Sequence, residues 1–163
     1  MKRVFALLLG LVMAAALVAC GEKEPSGQGQ SVDLRAAYEA GMKQVQEELG
    51  DDAPVLLEET AVELLNSYYP GLEKAQIKQS VFFLSPTATY CEVSMVEAAS
   101  AADAELVRQS FQSRVDEMAN DTVYPEEAGM WKNCATVSVN GNYVVLEVLP
   151  EGCTVPDAFL AKF

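Results

Sequence analysis

Four cysteines and no histidine limit the chemistry open to this chain of 163 residues. Without imidazole, the commonest general base near neutral pH and the commonest zinc ligand are both missing. Cys91, Cys134 and Cys153 lack CxxC spacing, so neither a zinc knuckle nor a thioredoxin-type dithiol fits them. A nucleophilic cysteine needs a neighbouring base or cation to lower its pKa. Cys91 instead falls in an alternating stretch that points it into an apolar face. No SxxK motif occurs. The acidic pairs Asp51-Asp52, Glu58-Glu59 and Glu126-Glu127 are sequence neighbours, which diverge on any regular element. None has the alternating oxygen ligands around a glycine that a calcium loop requires. Gly27-Gln28-Gly29 lies in a polar spacer rather than between a strand and a helix, so it is no phosphate cradle. The residue inventory offers no catalytic set and no metal-ligand set.

Cys20 stands in a different setting. Lys2 and Arg3 precede a 15-residue apolar run, Val4 to Val18, which ends at Leu17-Val18-Ala19-Cys20-Gly21. The run is short of the roughly 20 residues that span a bilayer. Its basic start and small-residue end fit an export signal. Leu-Val-Ala-Cys resembles the lipobox of bacterial lipoproteins. That resemblance implies a diacylglycerol on the Cys20 thiol and cleavage before it, with residues 1–19 leaving as a signal peptide. Two acyl chains are enough for stable anchoring. The implied location is the extracytoplasmic face of the cell membrane. The covalent diacylglycerol is the only non-protein group expected, with no dissociable cofactor.

The net charge is −13, and cleavage would make it −15 on 144 residues, because Lys2 and Arg3 leave and no acidic residue does. Such a surface excludes nucleic acid, which needs a basic footprint. It also opposes adhesion to anionic lipid headgroups, so the membrane is reached through the anchor alone. Residues 20–31 comprise Cys20 and a polar, Gly- and Pro-containing stretch (GEKEPSGQGQ) that reads as a flexible tether. Residues 32–163 suit one domain.

Within that domain, Asp33 caps a helix whose apolar positions Leu34, Ala37, Tyr38, Gly41, Met42, Val45 and Leu49 share a face. Thr60-Ala61-Val62-Glu63 reads as a capping box for a second helix that stops at Pro70-Gly71. Residues 77–84 and 89–97 then have strand character, with Cys91, Val93 and Met95 alternating against Tyr90, Glu92 and Ser94. Residues 102–119 form a long helix with the stripe Ala104, Val107, Phe111, Val115 and Met118. Pro125 opens a further helical turn or two. Residues 134–139 and 142–149 flank Asn140-Gly141, a strong hairpin signal. A two-residue turn there pairs Val139 with Asn142, Val137 with Val144 and Ala135 with Leu146. A short C-terminal helix follows over 155–163. The expected fold is α+β: a four-stranded antiparallel sheet from two hairpins, with helices packed mainly on one face.

If the other face is open, Phe82, Tyr90 and Tyr143 lie on it beside Val145 and form a candidate surface for a protein partner. The alternative is that a loop or the N-terminal helices cover that face. For the thiols, Cys134–Cys153 is the favoured bridge, because Gly152 lets the chain turn back beyond the hairpin. A Cys91–Cys134 bridge and three reduced thiols remain open.

The order and spacing of several short pieces resemble the small bacterial lipoproteins grouped as domain of unknown function 4358. The pieces are Val32-Asp33-Leu34, Tyr68-Tyr69-Pro70-Gly71, Val93-Ser94-Met95-Val96-Glu97-Ala98 leading into Asp103-Ala104-Glu105, and Gly141-Asn142-Tyr143-Val144-Val145-Leu146. The resemblance implies an extracytoplasmic lipoprotein and no assigned activity. Three functions are compatible with the residues. The first is a non-catalytic binding or accessory module. The second is a small extracytoplasmic hydrolase or thiol-redox protein. The third is the solute-binding component of a transporter, although such proteins usually need a longer chain.

Overall fold

A computed structural model describes residues 32–86 and 91–150. The expected signal peptide and tether, Cys20, Tyr90, Cys153 and the expected C-terminal helix lie outside those residues. The described residues belong to one compact unit.

Helix α1 runs Leu34–Leu49, followed by a 3-10 turn, Gly50–Asp52. Strand β1 is Leu57–Glu58, α2 is Val62–Tyr68, and a second 3-10 turn is Leu72–Lys74. Strands β2 (Ile77–Leu84) and β3 (Glu92–Ala98) precede α3 (Ala101–Ala119) and α4 (Pro125–Cys134). Strands β4 (Ala135–Asn140) and β5 (Tyr143–Val148) complete the order. All pairings are antiparallel, in the order β1-β2-β3-β5-β4.

The class is α+β, but the sheet has five strands rather than four. The added strand, β1, pairs Leu57 with Leu84 and Glu58 with Phe83. Two exposed residues are too few to display an alternation, so the sequence pattern carried no sign of it.

Helices also cover both faces rather than mainly one. On the first face, Phe82, Leu84, Val96, Val144, Leu146 and Val148 meet Val107 and Phe111 of α3, Trp131 of α4, and Tyr69. On the second, Val81, Phe83, Val93, Met95 and Val145 meet Leu34, Ala37 and Val45 of α1. Strand β3 is buried at every position as a result. The apolar sets read from the two hairpins fall on opposite faces, because Met95 pairs with Val145 and Val96 with Val144. Alternation within a hairpin defines its own faces. The parity between hairpins is set by the β3–β5 register, which no local pattern encodes.

Local signals account for most boundaries. Asp33 accepts from the Ala36 N–H at 3.1 Å, and Ser100 accepts from the Asp103 N–H at 3.2 Å. Pro125 opens α4. Two local expectations fail. The Thr60 capping box does not form: Ala61 is the N-cap of α2, and Glu59 accepts from the Ala61 N–H at 2.7 Å. In the second hairpin, Asn140 pairs with Tyr143, Val139 with Val144, Val137 with Leu146 and Ala135 with Val148. The turn is therefore Gly141-Asn142, with Gly141 at φ +59°, rather than Asn140-Gly141. A shift of two residues keeps every side chain on its face, so packing tolerates either register. The Asn142 carbonyl accepts from the Ala98 N–H at 2.8 Å, which ties this turn to the end of β3.

Candidate functional site

The strongest concentration of polar chemistry lies inside the first face. Glu92 at the start of β3 and Arg114 on α3 form a buried ion pair, with Arg114 Nε 2.8 Å from Glu92 Oε2. Tyr69 and Ser94 both donate to Glu92 Oε1, Ser94 at 3.0 Å, and the Tyr69 and Ser94 hydroxyls lie 2.8 Å apart. Three aromatic rings surround the guanidinium. Its carbon is 4.7 Å from the Tyr68 centroid, 5.1 Å from Trp131 and 5.4 Å from Tyr69. Burial alone would lower the Arg114 pKa, but the Glu92 charge beside it outweighs that and raises it. Burial, reinforced by the same carboxylate, drives the Tyr69 hydroxyl well above its ordinary value.

A buried charge is tolerated only when paired and hydrogen-bonded. Both Glu92 oxygens have partners here, and the carboxylate faces protein on all sides. This arrangement holds α3 and the end of α2 to the sheet. It presents no reactive atom to solvent.

Glu92 is placed by strand alternation, which the sequence reading used to turn it outward. Arg114 was not singled out at all. A signal did exist, since Val107, Phe111, Arg114 and Met118 form one row on α3 and an arginine in that row needs a buried partner.

A cavity of about 250 Å³ is lined by Leu57, Glu58, Glu59, Tyr68, Leu84, Ser85 and Pro86. Tyr68 joins the two, being both a wall of the cavity and a ring against Arg114. The cavity sits at the β1 edge of the sheet. Arg35 of α1 pairs with Glu58 across that edge.

The residues expected to share a partner surface are separated. Phe82 is buried on the first face against Tyr69 and Phe111. Tyr143 is half-buried on the second face, where its hydroxyl accepts from the Val32 N–H at 3.1 Å. Gln79 donates to the Val32 carbonyl at 2.6 Å, so the start of the domain is clamped onto the sheet. Tyr90 is outside the described residues. The second face is closed by α1, with Tyr38 stacked on Phe83 at 3.5 Å between centroids. Burial raises the Tyr38 pKa to about 12.

Cys91 is buried, as alternation predicts. Cys134 is half-buried at the last position of α4 rather than in a strand. Glu92 and Ala135 both pair with Val148, from opposite sides of β5. Cys91 and Cys134, each one residue earlier, are thus two strand spacings apart, roughly 9–10 Å. A disulfide needs Cα atoms within about 7 Å, so a Cys91–Cys134 bridge does not fit. The Cys134–Cys153 pairing involves a residue outside those described. Among the described residues, no three His, Cys, Asp or Glu side chains are grouped to hold a metal ion, and no helix is long and apolar enough to cross a membrane.

The model of the family described as domain of unknown function DUF4358 matches residues 52–149. The chain belongs to that family. The DUF4358 match spans all five strands and α2 to α4, and so includes Glu92, Arg114 and the cavity. Helix α1, which closes the second face, precedes it. No curated protein and no solved structure matches the chain.

Proposed function

We propose that this DUF4358 protein is a membrane-anchored extracytoplasmic lipoprotein whose α+β domain serves as a non-catalytic binding or accessory module. The observation that carries this reading is Leu17-Val18-Ala19-Cys20, preceded by a basic start and an apolar run and followed by a polar tether. The chemistry of the domain supports it. The most concentrated set of charged and hydroxylated groups, Glu92, Arg114, Tyr69 and Ser94, is spent on mutual hydrogen bonds inside the core. The chain has no histidine to act as a proton-transfer group near neutral pH. A module of this kind acts by position: the acyl chains hold it at the membrane, and the acidic surface keeps it off anionic headgroups.

The anchoring is tested by substituting Cys20→Ser in cells fed labelled palmitate. The wild-type chain should take up label and migrate as a processed form. The variant should remain a full-length precursor without label. Equal labelling of the two would overturn the proposal.

A further inference from the structure

We infer that Asn140 is a site of spontaneous covalent modification, at which the backbone nitrogen of Gly141 displaces the side-chain amide as ammonia and leaves aspartate or isoaspartate in the chain. Glycine directly follows this asparagine, and it has no side chain to shield the attacking nitrogen. The hairpin frees that nitrogen. Asn140 pairs with Tyr143, so Gly141 and Asn142 form the turn between them. The Asn142 carbonyl points to β3, where it accepts from the Ala98 N–H at 2.8 Å. Alternation then turns the backbone groups of Tyr143 toward Asn140, and the Gly141 N–H falls outside the ladder. Asn140 and Gly141 are both exposed, and a Cβ at Gly141 would meet nothing within 4 Å among the described residues. Solvent reaches the turn, and the Asn140 side chain has room to swing onto the nitrogen.

The Gly141 nitrogen gives its proton to hydroxide and bonds to Asn140 Cγ. The Cγ–Nδ2 bond breaks, and ammonia leaves with a proton returned by water. Water then opens the succinimide ring. Opening at Cγ restores the peptide bond and gives aspartate. Opening at the Asn140 backbone carbonyl breaks its bond to the Gly141 nitrogen and gives isoaspartate, whose chain runs through Cβ and Cγ. Nothing is oxidised or reduced, and one negative charge is gained. The four other asparagines are held out of this reaction. Asn66 and Asn133 lie inside α2 and α4, where the next N–H is bonded to a carbonyl one turn earlier. Asn120 donates its side-chain amide to the Asp116 carbonyl at 2.6 Å. Asn142 precedes Tyr143, whose N–H faces Asn140. The product reaches beyond the turn. Isoaspartate lengthens the backbone opposite Tyr143, whose hydroxyl accepts from the Val32 N–H at 3.1 Å. Conversion therefore loosens the clamp on the start of the domain.

The full chain in detergent micelles is held in mildly alkaline buffer and sampled over time by peptide mapping with fragmentation. The expected result is a gain of about 1 Da localised to Asn140, in both aspartate and isoaspartate forms, before any other asparagine changes. Asn140→Gln would need a larger ring and should lose the gain, whereas Asn66→Gln should keep it. In the isoaspartate form, the Val32 amide should lose its protection from hydrogen exchange. Asn140→Asp carries the charge without the longer backbone and should keep that protection. An unmodified Asn140, or conversion there no faster than at Asn66 or Asn120, would overturn the site. Val32 protection that survives in the isoaspartate form would overturn the loosened clamp.

Discussion

The two faces of one sheet are closed by different chemistry. On the first, α2, α3 and α4 enclose an ion pair, two hydroxyls and three aromatic rings within an otherwise apolar core. On the second, α1 lays aliphatic side chains and a stacked tyrosine over Val81, Phe83, Val93, Met95 and Val145. Apolar burial stabilises in proportion to area and accepts many partners. A buried ion pair adds little net stability but penalises every arrangement that separates its members. The first face should therefore be specific and intolerant of single changes, and the second more forgiving.

The largest expected effect is on the first face. Arg114→Met strands the Glu92 carboxylate in the core and should cost about 3–5 kcal/mol in urea unfolding. Adding Glu92→Leu should recover most of that loss, because the Tyr69 and Ser94 hydroxyls, 2.8 Å apart, can then hydrogen-bond to each other. A double variant no more stable than the single one would mean that the ion pair stabilises in its own right, and the contrast between faces would fail.

The second face holds two buried carboxylates, Glu97 and Glu147, and Glu147 is placed between Val93 and Thr136 in register. Burial raises its pKa to about 7. An unfolded glutamate titrates near 4.3. Between those values the folded protein keeps a proton that the unfolded chain has lost. Stability from this group is thus full below about pH 4.3 and is lost as pH rises from there through about 7, by roughly 3–4 kcal/mol in all. Glu147→Gln should flatten that part of the profile and leave the protein more stable than wild type at pH 8. An unchanged profile would show that Glu147 is solvated in the folded state.

The smallest effect is expected from Tyr38→Ala. It removes one half of a stacked pair from a helix that keeps its other apolar contacts, and should cost about 1–2 kcal/mol in thermal unfolding. A cost matching that of Arg114→Met would erase the distinction between the faces.

Helices were legible where a periodic stripe and a cap coincided. Asp33 with Leu34, Ala37 and Val45, and Ser100 with Ala104, Val107 and Phe111, each define a start and a buried face within a few turns. Strands β2 to β5 were legible for the same reason at period two. The hairpin turn lies one residue later than expected, and its pairing shifts by two, because Asn140-Gly141 and Gly141-Asn142 both satisfy the turn chemistry and both leave Val137 and Val144 on one face. Strand β1 was illegible because two exposed residues contain no period.

The candidate site follows the same division. Types and spacing alone determined that Cys91 points inward and that no histidine chemistry is available, and they carry the proposal of an anchor at Cys20. Those are properties of neighbours in the chain, and local sterics and solvation decide them. The meeting of Glu92 with Arg114, 22 residues later, depends on α3 crossing the sheet after β3. The separation of Phe82 from Tyr143 depends on the parity between two hairpins, and the pairing of β1 with β2 depends on a return of the chain from α1. Tertiary structure alone decided these, because each is a relation between segments whose own sequences are equally content on either side of the sheet.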